Sequence, residues 1–502
     1  MSTIINFNMR IVLGVLGTIF FGCLPNNTSA QTNKPNFIII LTDDQGYNDL
    51  GSFGSPLIRT PNIDKLAKEG LRLTSFYAQP ICGPSRTALL TGSYPLRVAE
   101  VNNTKRSHPM VHPDEILLPE ILKEVGYRSA CIGKWDINGH KQDFEQEELL
   151  PTRMGFDYWF GTPSSNDRGI NVVYRNEKII ASKITVDTIT QIYTSEALEF
   201  IDKNKANPFF LYLAHNMPHT RLGASKEFKG KSKFGLYGDA IEEIDWSVGE
   251  IKQKLIDLGI EDKTIIVFTS DNGPWRARGT HGGSSFPLRG NKISTWEGGV
   301  RVPCVIWGGD NLKSGIVSDQ VTSTMDLFPT FASLAGASLP DTLTLDGQDI
   351  TSLLVTNGRS SELEELYYYY VDTHLQAVRS GEWKLVLPRP RAPEWIPFAK
   401  KSLWRHEDME AVRAMELYNL KNDVGERRDV AQDHPDIVQR LYELITNARS
   451  EIGDYNIIGQ GARFYDNGER RPDVKNWQSK SIDSIDRNIK LHPFYNDGAR
   501  NL

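Results

Sequence analysis

Cysteine is scarce in this chain of 502 residues, which has four: Cys23, Cys82, Cys131 and Cys304. The first lies in an N-terminal leader, and the odd number that remains argues against a disulfide framework and against a paired array of zinc ligands. Cys131 and Cys304 sit in apolar runs and are predicted to be inert core residues. Cys82, within "CGPSR", has no such setting and needs another explanation.

The chain also lacks a long basic run, a fixed-period repeat and a low-complexity segment. Its formal net charge is −6, so nucleic acid is a poor candidate partner, and an anionic substrate would have to be held by local cations. Beyond the leader no stretch is long and apolar enough to cross a bilayer, and we expect no stable membrane span.

Residues 1–30 are predicted to be a signal peptide. Arg10 precedes the apolar run "IVLGVLGTIFFG", and "NTSAQ" offers a small-residue cleavage site after Ala30. Lipoprotein processing at Cys23 is the alternative, but "FFGC" is a poor lipobox because phenylalanine fills both positions before Gly22. The mature protein is therefore expected to be periplasmic or secreted.

Short apolar runs alternate with amphipathic segments over most of the chain, as in "NFIIIL", "TPNIDKLAKEG", "PFFLYLAH" and "KTIIVFTSDNG". Near-continuous apolar strands between helices are typical of an α/β fold with a large, mixed and mostly parallel sheet flanked by helices. After about residue 357, alternating aromatic strands and a terminal helix predict a smaller α+β subdomain. We therefore expect a catalytic domain over 33–357 and a C-terminal subdomain with a loop-like extension over 358–502.

Acidic and amide side chains follow two of the predicted strands: Asp43 and Asp44 after one, Asp271 and Asn272 after the other. In open α/β sheets ligands bind beyond the carboxyl ends of the strands. Two such pairs could converge on one calcium ion, which prefers oxygen ligands. The alternative is that Asp and Asn end strands because they form turns.

Lysines, arginines and histidines also follow predicted strands or lie in the loops beyond them. Each of them alone could be a solvated surface charge or an ordinary loop histidine. Cys82 lies just before the helical pattern "SRTALLTG", where a helix N-terminus would favour an anion and activate a nucleophile. The remaining candidates are Lys134 in "GKW", His215 and His219 in "HNMPH", and Arg289 and Lys292 in "LRGNK". Taken together, they indicate an anion-processing site built on a metal ion.

The motifs "DDQG", "CGPSRTALLTG", "GKW", "PH", "SDNG" and "LRGNK…WEGGVRVP" stand in the order and at roughly the spacing of the sulfatase family, which this chain resembles over about residues 36–450. The C-x-P-x-R signature is highly specific. The resemblance implies an alkaline-phosphatase-like fold, a calcium ion, and oxidation of Cys82 to formylglycine by a formylglycine-generating maturation enzyme that reads Pro84 and Arg86.

The resemblance also implies roles for the candidate residues. Asp43, Asp44, Asp271 and Asn272 would carry the metal, with residue 82 completing its shell. The hydrated aldehyde would attack the sulfur of a sulfate ester, giving a formylglycine-sulfate intermediate. Arg86, Lys134 and Lys292 would offset charge on the sulfuryl oxygens, and His219 would assist the leaving alcohol. His215 and His281 match no catalytic position of the family and, with Arg289, are assigned to the substrate pocket.

One position departs from the family pattern. Many relatives have "GKWH", whereas this chain has "GKWDINGH", with Asp136 at the histidine position and His140 four residues later. Either residue could be the base that expels sulfate, and both stay candidates.

The predicted function is an exported sulfatase acting on a sulfated poly- or oligosaccharide. Alternatives are a phosphoester or phosphonate hydrolase of the same superfamily, or a non-catalytic relative that binds glycans. The sequence identifies neither the sugar nor the sulfated position.

Overall fold

The structure, a computed structural model, describes residues 34–98, 110–139, 142–144, 146–167, 169–180, 184–309, 312–355, 365–370, 374–389, 412–454 and 457–463. Several sequence-based predictions lie outside these residues: the leader, with Cys23, the candidate base His140, and the C-terminal extension beyond residue 463. The predicted domain boundary at residues 357 and 358 also lies outside them and stays a prediction.

Strands and helices alternate through the first three quarters of the chain. The strands are β1 (Asn36–Thr42), β2 (Leu71–Tyr77), β3 (Arg128–Gly133), β4 (Tyr158–Gly161), β5 (Val173–Arg175), β6 (Lys178–Ile180), β7 (Phe209–Ala214), β8 (Thr264–Ser270), β9 (Arg301–Trp307), β10 (Ile316–Ser318), β11 (Thr322–Ser323), β12 (Glu365–Tyr370), β13 (His374–Ser380), β14 (Trp383–Val386), β15 (Glu416–Asn419), β16 (Gly453–Asp454) and β17 (Ile457–Ile458). The helices are α1 (Pro61–Glu69), α2 (Cys82–Thr91), α3 (Pro95–Val98), α4 (Leu118–Glu124), α5 (Ile189–Asn204), α6 (Gly235–Asp257), α7 (Glu297–Val300), α8 (Leu327–Ala335), α9 (Thr351–Val355) and α10 (Pro435–Glu451).

Within the described residues, the large sheet has eleven strands, with β11 paired to β2 and the others in the order β10-β2-β9-β8-β1-β7-β3-β4-β5-β6. The neighbours from β8 through β1, β7 and β3 to β4 are all parallel. Strand β9 runs antiparallel to both β8 and β2, and β4, β5 and β6 pair antiparallel. The predicted large, mixed and mostly parallel sheet is therefore confirmed.

Both faces of this sheet are covered, which explains why its strands read as continuous apolar runs. Every residue of β1, β7 and β8 is buried. Helices α2, α4 and α8 pack on one face, and α1, α5 and α6 pack on the other. Cys131 and Cys304 lie in the first of these cores, and the three cysteines that the structure describes are all free thiols.

The C-terminal part forms a separate antiparallel sheet in the order β12-β13-β14-β15, with α10 packed against it. This small sheet was predicted from the aromatic alternation of its strands. Among the described helices, none combines the length and the apolar character needed to cross a bilayer.

A buried ionic cluster joins the small sheet to the large one. Glu297 begins α7, and its carboxylate lies 3.1 Å from Lys384 Nζ of β14 and 3.4 Å from a guanidinium nitrogen of Arg301. It also accepts hydrogen bonds from the hydroxyls of Tyr77 (2.5 Å) and Tyr368 (3.2 Å). Burial alone would raise the pKa of Glu297, but Lys384, Arg379 and Arg301 hold it down at about 2.

We expect the substitution Glu297→Gln to lower the free energy of unfolding by about 3–5 kcal/mol, because it leaves buried cations without their counterion. The folded-state pKa of Glu297 is below its unfolded value, so the carboxylate contributes stability above about pH 4.5 and loses it as the pH falls towards about 2. The difference between variant and wild type in urea unfolding should therefore shrink at low pH.

The control is Glu199→Gln, which removes the carboxylate of an exposed pair with Lys203. We expect its unfolding curve to match the wild type at every pH. Equal stability of Glu297→Gln and wild type at neutral pH would contradict the stabilising role of the cluster.

Candidate functional site

The carboxyl ends of the parallel strands bring the predicted polar residues to one edge of the large sheet. Asp43 and Asp44 follow β1, Asp271 and Asn272 follow β8, and Lys134 follows β3. His219 lies beyond the end of β7, and Lys292 reaches the same place from the loop before α7. We call these residues, with Cys82 and Arg86, the strand-end cluster; all of them are buried.

Two aspartates and an amide each leave an oxygen atom that no described residue satisfies. Asp43 Oδ2 accepts from Lys134 Nζ at 2.7 Å, and Asp44 Oδ1 accepts from Lys292 Nζ at 2.5 Å and Asn272 Nδ2 at 2.8 Å. Asp43 Oδ1, Asp44 Oδ2 and Asn272 Oδ1 are buried and make no hydrogen bond to the described part of the chain. Buried oxygens of this kind are costly unless a cation or a donor compensates them.

The geometry fits a calcium ion bound by this group. Candidate ligand atoms of Asp43, Asp44 and His219 all lie within 4.8 Å of one another. Carboxylate and amide oxygens are the ligands that calcium prefers. His219 was not among the predicted metal ligands, because the family resemblance gave it the role of assisting the leaving alcohol.

Arg86 connects three of the elements that form the cluster. From α2, its Nε and Nη2 donate to Asp271 Oδ2 at 3.1 and 2.8 Å, and its Nη1 donates to the carbonyl oxygen of Lys134 at 2.8 Å. Its Nη2 also lies 3.7 Å from Asp43 Oδ2. The other oxygen of Asp271 accepts the Asp44 N–H at 3.2 Å. One carboxylate oxygen of Asp271 is therefore bound by Arg86, and the other is bound by the backbone N–H of Asp44.

The crowding of carboxylates shifts their pKa values in opposite directions. Burial would raise the pKa of Asp43, but Lys134, His219, Arg86 and Lys292 bring it down to about 2. For Asp271, burial and the neighbouring Asp43 dominate and raise the pKa to about 7, against the opposing effect of Arg86. The site therefore holds more negative charge than its protein cations fully stabilise, which favours a bound metal cation.

Cys82 is the first residue of α2 and is buried. Burial raises the pKa of its thiol, Asp136 and Asp43 raise it further, and Lys134 and Lys292 only partly oppose this. An unmodified Cys82 is thus protonated at neutral pH, although it lies at a helix N-terminus. A bare thiolate nucleophile does not fit this setting.

Asp136 lies beside Lys134 rather than in solvent. Lys134 Nζ is 3.2 Å from Asp136 Oδ2, and the hydroxyl of Ser164 donates to Asp136 Oδ1 at 3.1 Å. Burial would lower the pKa of Lys134, but Asp136 and Asp43 raise it well above the usual range, so the ammonium stays charged. Asp136 therefore belongs to the buried site, and its role as a base stays a prediction. The other candidate, His140, lies outside the described residues.

The two histidines of "HNMPH" have different environments. His219 Nε2 lies 3.6 Å from Asp44 Oδ2, and its Nδ1 donates to the carbonyl oxygen of Thr220 at 2.5 Å. Burial lowers the pKa of His219, against Asp43 and Asp44. His215 is fully buried, neither ring nitrogen bonds to a described residue, and burial lowers its pKa to about 3. His215 is thus a neutral interior residue in this structure.

The other residues predicted for the pocket, His281 and Arg289, lie in the loops between β8 and α7. His281 ends the exposed 3₁₀ turn Arg276–His281. Arg289 stacks on Trp296 with its guanidinium carbon 3.6 Å from the ring centroid, and it donates to the carbonyl oxygen of Glu426 at 2.9 Å.

Sequence reasoning missed Ser164 and Asp167, which follow β4 at the same edge of the sheet. Asp167 Oδ1 lies 3.9 Å from His219 Nε2. Their only signal was a polar run, "SSND", directly after a short apolar strand, and this pattern is common in ordinary loops.

Two family models match the chain: "Sulfatase" over residues 35–337 and "C-terminal region of aryl-sulfatase" over residues 361–463. N-acetylgalactosamine-6-sulfatase of Mus musculus is 35% identical over 486 residues, which cover 88% of this chain and 90% of that protein.

Two solved structures share the fold. The PsFucS1 sulfatase from Pseudoalteromonas sp. has 27% sequence identity and a TM-score of 0.70, covering 82% of this chain and 89% of its own. Ps i-CgsB, solved in complex with k-i-k-neocarrahexaose, has 28% identity and a TM-score of 0.72, covering 91% and 99%. With a family model matching more than half of its length and a relative that is 35% identical over 88% of the chain, the chain belongs to the sulfatase family.

Proposed function

We propose that this sulfatase hydrolyses a sulfate ester on a sulfated poly- or oligosaccharide, with Cys82 converted to formylglycine and calcium bound in the strand-end cluster. The observation that carries the proposal is a buried site in which Arg86, Lys134 and Lys292 surround Cys82 and the carboxylates. The names of the similar proteins support a sugar substrate, because one is an N-acetylgalactosamine-6-sulfatase and another was solved with neocarrahexaose.

Asp43, Asp44, Asp271 and Asn272 would hold the calcium, and the unsatisfied oxygens of Asp43, Asp44 and Asn272 are the observation that supports this assignment. When bound, calcium supplies positive charge beside the sulfuryl oxygens, and the matured side chain at position 82 supplies the nucleophile.

The protein's own cations act on the charge of the sulfuryl group. Lys134 and Lys292 are buried and stay protonated, so they act as fixed positive charges in a site with little water. Charges preorganised in this way stabilise a developing anion more than mobile solvent does. Arg86 fixes α2, and with it residue 82, against Asp271.

His219 is proposed to protonate or orient the leaving alcohol oxygen. Protonation needs the imidazolium form, which the negative charge of a bound sulfate ester would favour against the lowering of the His219 pKa by burial. A sugar hydroxyl is a poor leaving group as an alkoxide, so proton donation matters most for this substrate class. Asp136 and His140 stay the candidates for the base that completes the cycle, and Asp136 is supported by its contacts with Lys134 and Ser164.

Export and maturation complete the proposal. The leader over residues 1–30 would direct the protein to the periplasm or the exterior, and a formylglycine-generating enzyme would act on the "CGPSR" segment.

The function is tested with enzyme produced together with a formylglycine-generating partner and offered a panel of sulfated oligosaccharides, while free sulfate is measured. We expect sulfate release from at least one glycan and none from Cys82→Ala protein. A panel of phosphate esters is assayed in parallel, and free phosphate is measured. Release of phosphate without sulfate, or no release although peptide mass confirms the aldehyde, would contradict the proposal.

Calcium should stabilise the folded protein because it binds the native cluster. At a concentration about 100 times the dissociation constant, linkage predicts about 2.7 kcal/mol, or about 3 °C in Tm for a chain of this size. After the metal has been removed with a chelator, we expect added calcium to raise the Tm of the wild type by this amount. We expect no such rise for Asp44→Asn.

The control is Asp49→Asn. The carboxylate of Asp49 is already occupied by the N–H groups of Gly46 and Ser284 and by the Tyr237 hydroxyl. Whatever its starting Tm, this variant should keep the calcium shift. A calcium shift that survives in Asp44→Asn would contradict the assignment of the cluster as the metal site.

The role of His219 is separated from metal binding by a comparison of leaving groups. If His219 protonates the leaving oxygen, His219→Gln should lower kcat for a sugar sulfate by about 10²–10³-fold. It should lower kcat far less for 4-nitrophenyl sulfate, whose phenolate leaves without a proton. Equal losses with both substrates, together with a reduced calcium shift in Tm, would assign His219 to the metal instead.

A further inference from the structure

A basic cleft lies beside the strand-end cluster, between the loop that follows Trp275 and a turn of the C-terminal sheet. Its volume is about 640 Å³, within the range of sites that bind small molecules. The backbone of residues 283–290 forms one wall and Gly425–Arg427 the other. A Cβ added to Gly425 would lie 3.2 Å from the carbonyl oxygen of Pro287, so the two walls come into contact there.

The cleft carries an excess of positive charge. Arg276, Arg289 and Arg427 line it, and its one acidic lining residue is Glu426. The Glu426 carboxylate is buried and lies 2.8 Å from Lys384 Nζ, so its charge is compensated inside the protein. Arginine suits sulfate and carboxylate groups because its planar donors match their oxygens.

An exposed aromatic ring lies at the same place. Phe286 lines the cleft and is 65% exposed, the highest value among the large apolar side chains that the structure describes as exposed. Aromatic faces pack against the apolar faces of sugar rings, and arginines bind the charged substituents. The combination fits an anionic carbohydrate better than an apolar ligand.

The cleft and the strand-end cluster are built on adjoining residues of the same loops. Trp275 directly precedes Arg276, and its ring centroid lies 5.7 Å from that of His219. Lys292 Nζ lies 5.0 Å from the centroid of the Trp275 ring. The Lys292 N–H donates to the carbonyl oxygen of Pro274 at 3.0 Å, which ties together the loops on which the two sites are built. A glycan bound at the strand-end cluster could therefore extend into the cleft.

We propose that the cleft between residues 283–290 and Gly425–Arg427 binds a second anionic group of the glycan, on a sugar unit next to the one that carries the scissile sulfate. This inference rests on the proposed function and narrows its substrate class to glycans with charge on neighbouring units. Arg427 and Arg276 would contact the anion, and Phe286 would pack against the sugar. Arg289 would hold the two walls together through Glu426.

The test compares Arg427→Ala with Arg428→Ala. Both side chains are exposed and adjacent in the chain, but only Arg427 lines the cleft. Substrates are 4-methylumbelliferyl sulfate, too small to reach the cleft, and the oligosaccharide of the panel that releases sulfate fastest. We expect Arg427→Ala to raise KM for the oligosaccharide about fivefold with kcat retained, and to leave the aryl sulfate unaffected.

Two further measurements separate charge from packing. Raising ionic strength should weaken oligosaccharide use by the wild type more than by Arg427→Ala, because screening acts on the charge that the variant lacks. Phe286→Leu, which keeps an apolar side chain but removes the ring face, should also raise KM for the oligosaccharide only. Arg428→Ala should match the wild type throughout.

Equal effects of Arg427→Ala on both substrates, or none on either, would overturn the cleft assignment while sulfate release still supports the proposed function. If no substrate releases sulfate, the proposed function fails by itself. The cleft is then tested by calorimetry with carrageenan and chondroitin 6-sulfate hexasaccharides. Binding that Arg427→Ala weakens would support an anion site, and absence of binding would overturn it.

Discussion

The buried pair between Arg86 and Asp271 is the interaction on which the strand-end cluster depends. Arg86 is fully buried on α2, and its guanidinium reaches Asp271 after β8 and the backbone of Lys134 after β3. One side chain therefore fixes the helix that begins at Cys82 relative to two strand ends. A buried arginine with two acceptors from different elements admits few alternative arrangements, because an unpaired charge there would be very costly.

The balance of charges in the strand-end cluster explains why the site suits an anion. Asp43, Asp44, Asp136 and Asp271 place four buried carboxylates at the sheet edge, and the charges of Arg86, Lys134 and Lys292 offset only part of theirs. A bound divalent cation would satisfy the remaining oxygens of Asp43 and Asp44 and leave the site with an excess of positive charge. An anionic sulfate ester would complete that balance. Burial makes each of these charges act more strongly than it would in water.

The fold and the strand-end residues could be predicted from the sequence because each buried strand is a continuous apolar run and the next residue is polar. The positions of Asp43 after "NFIIILT" and Asp271 after "TIIVFTS" follow from this pattern alone, whereas their assignment to the metal came from the family resemblance. His215 and Arg289 could not be placed in the same way. His215 stands four residues before His219 but is enclosed by the core, and Arg289 is tied to Glu426 of a segment distant in sequence. Local patterns do not show which side of a loop faces the interior.

The C-terminal sheet also supports one wall of the basic cleft. Glu297 pairs with Lys384 of this sheet, Lys384 pairs with Glu426, and Glu426 lies in the turn that ends at Arg427. The backbone N–H of Glu297 also donates to Glu426 at 2.8 Å. The buried ion pairs that hold the two sheets together thus also fix the wall of the basic cleft. Because Glu297 follows Lys292 by only five residues, the same short loop carries Lys292 of the strand-end cluster at one end and the buried ion pairs of the C-terminal sheet at the other.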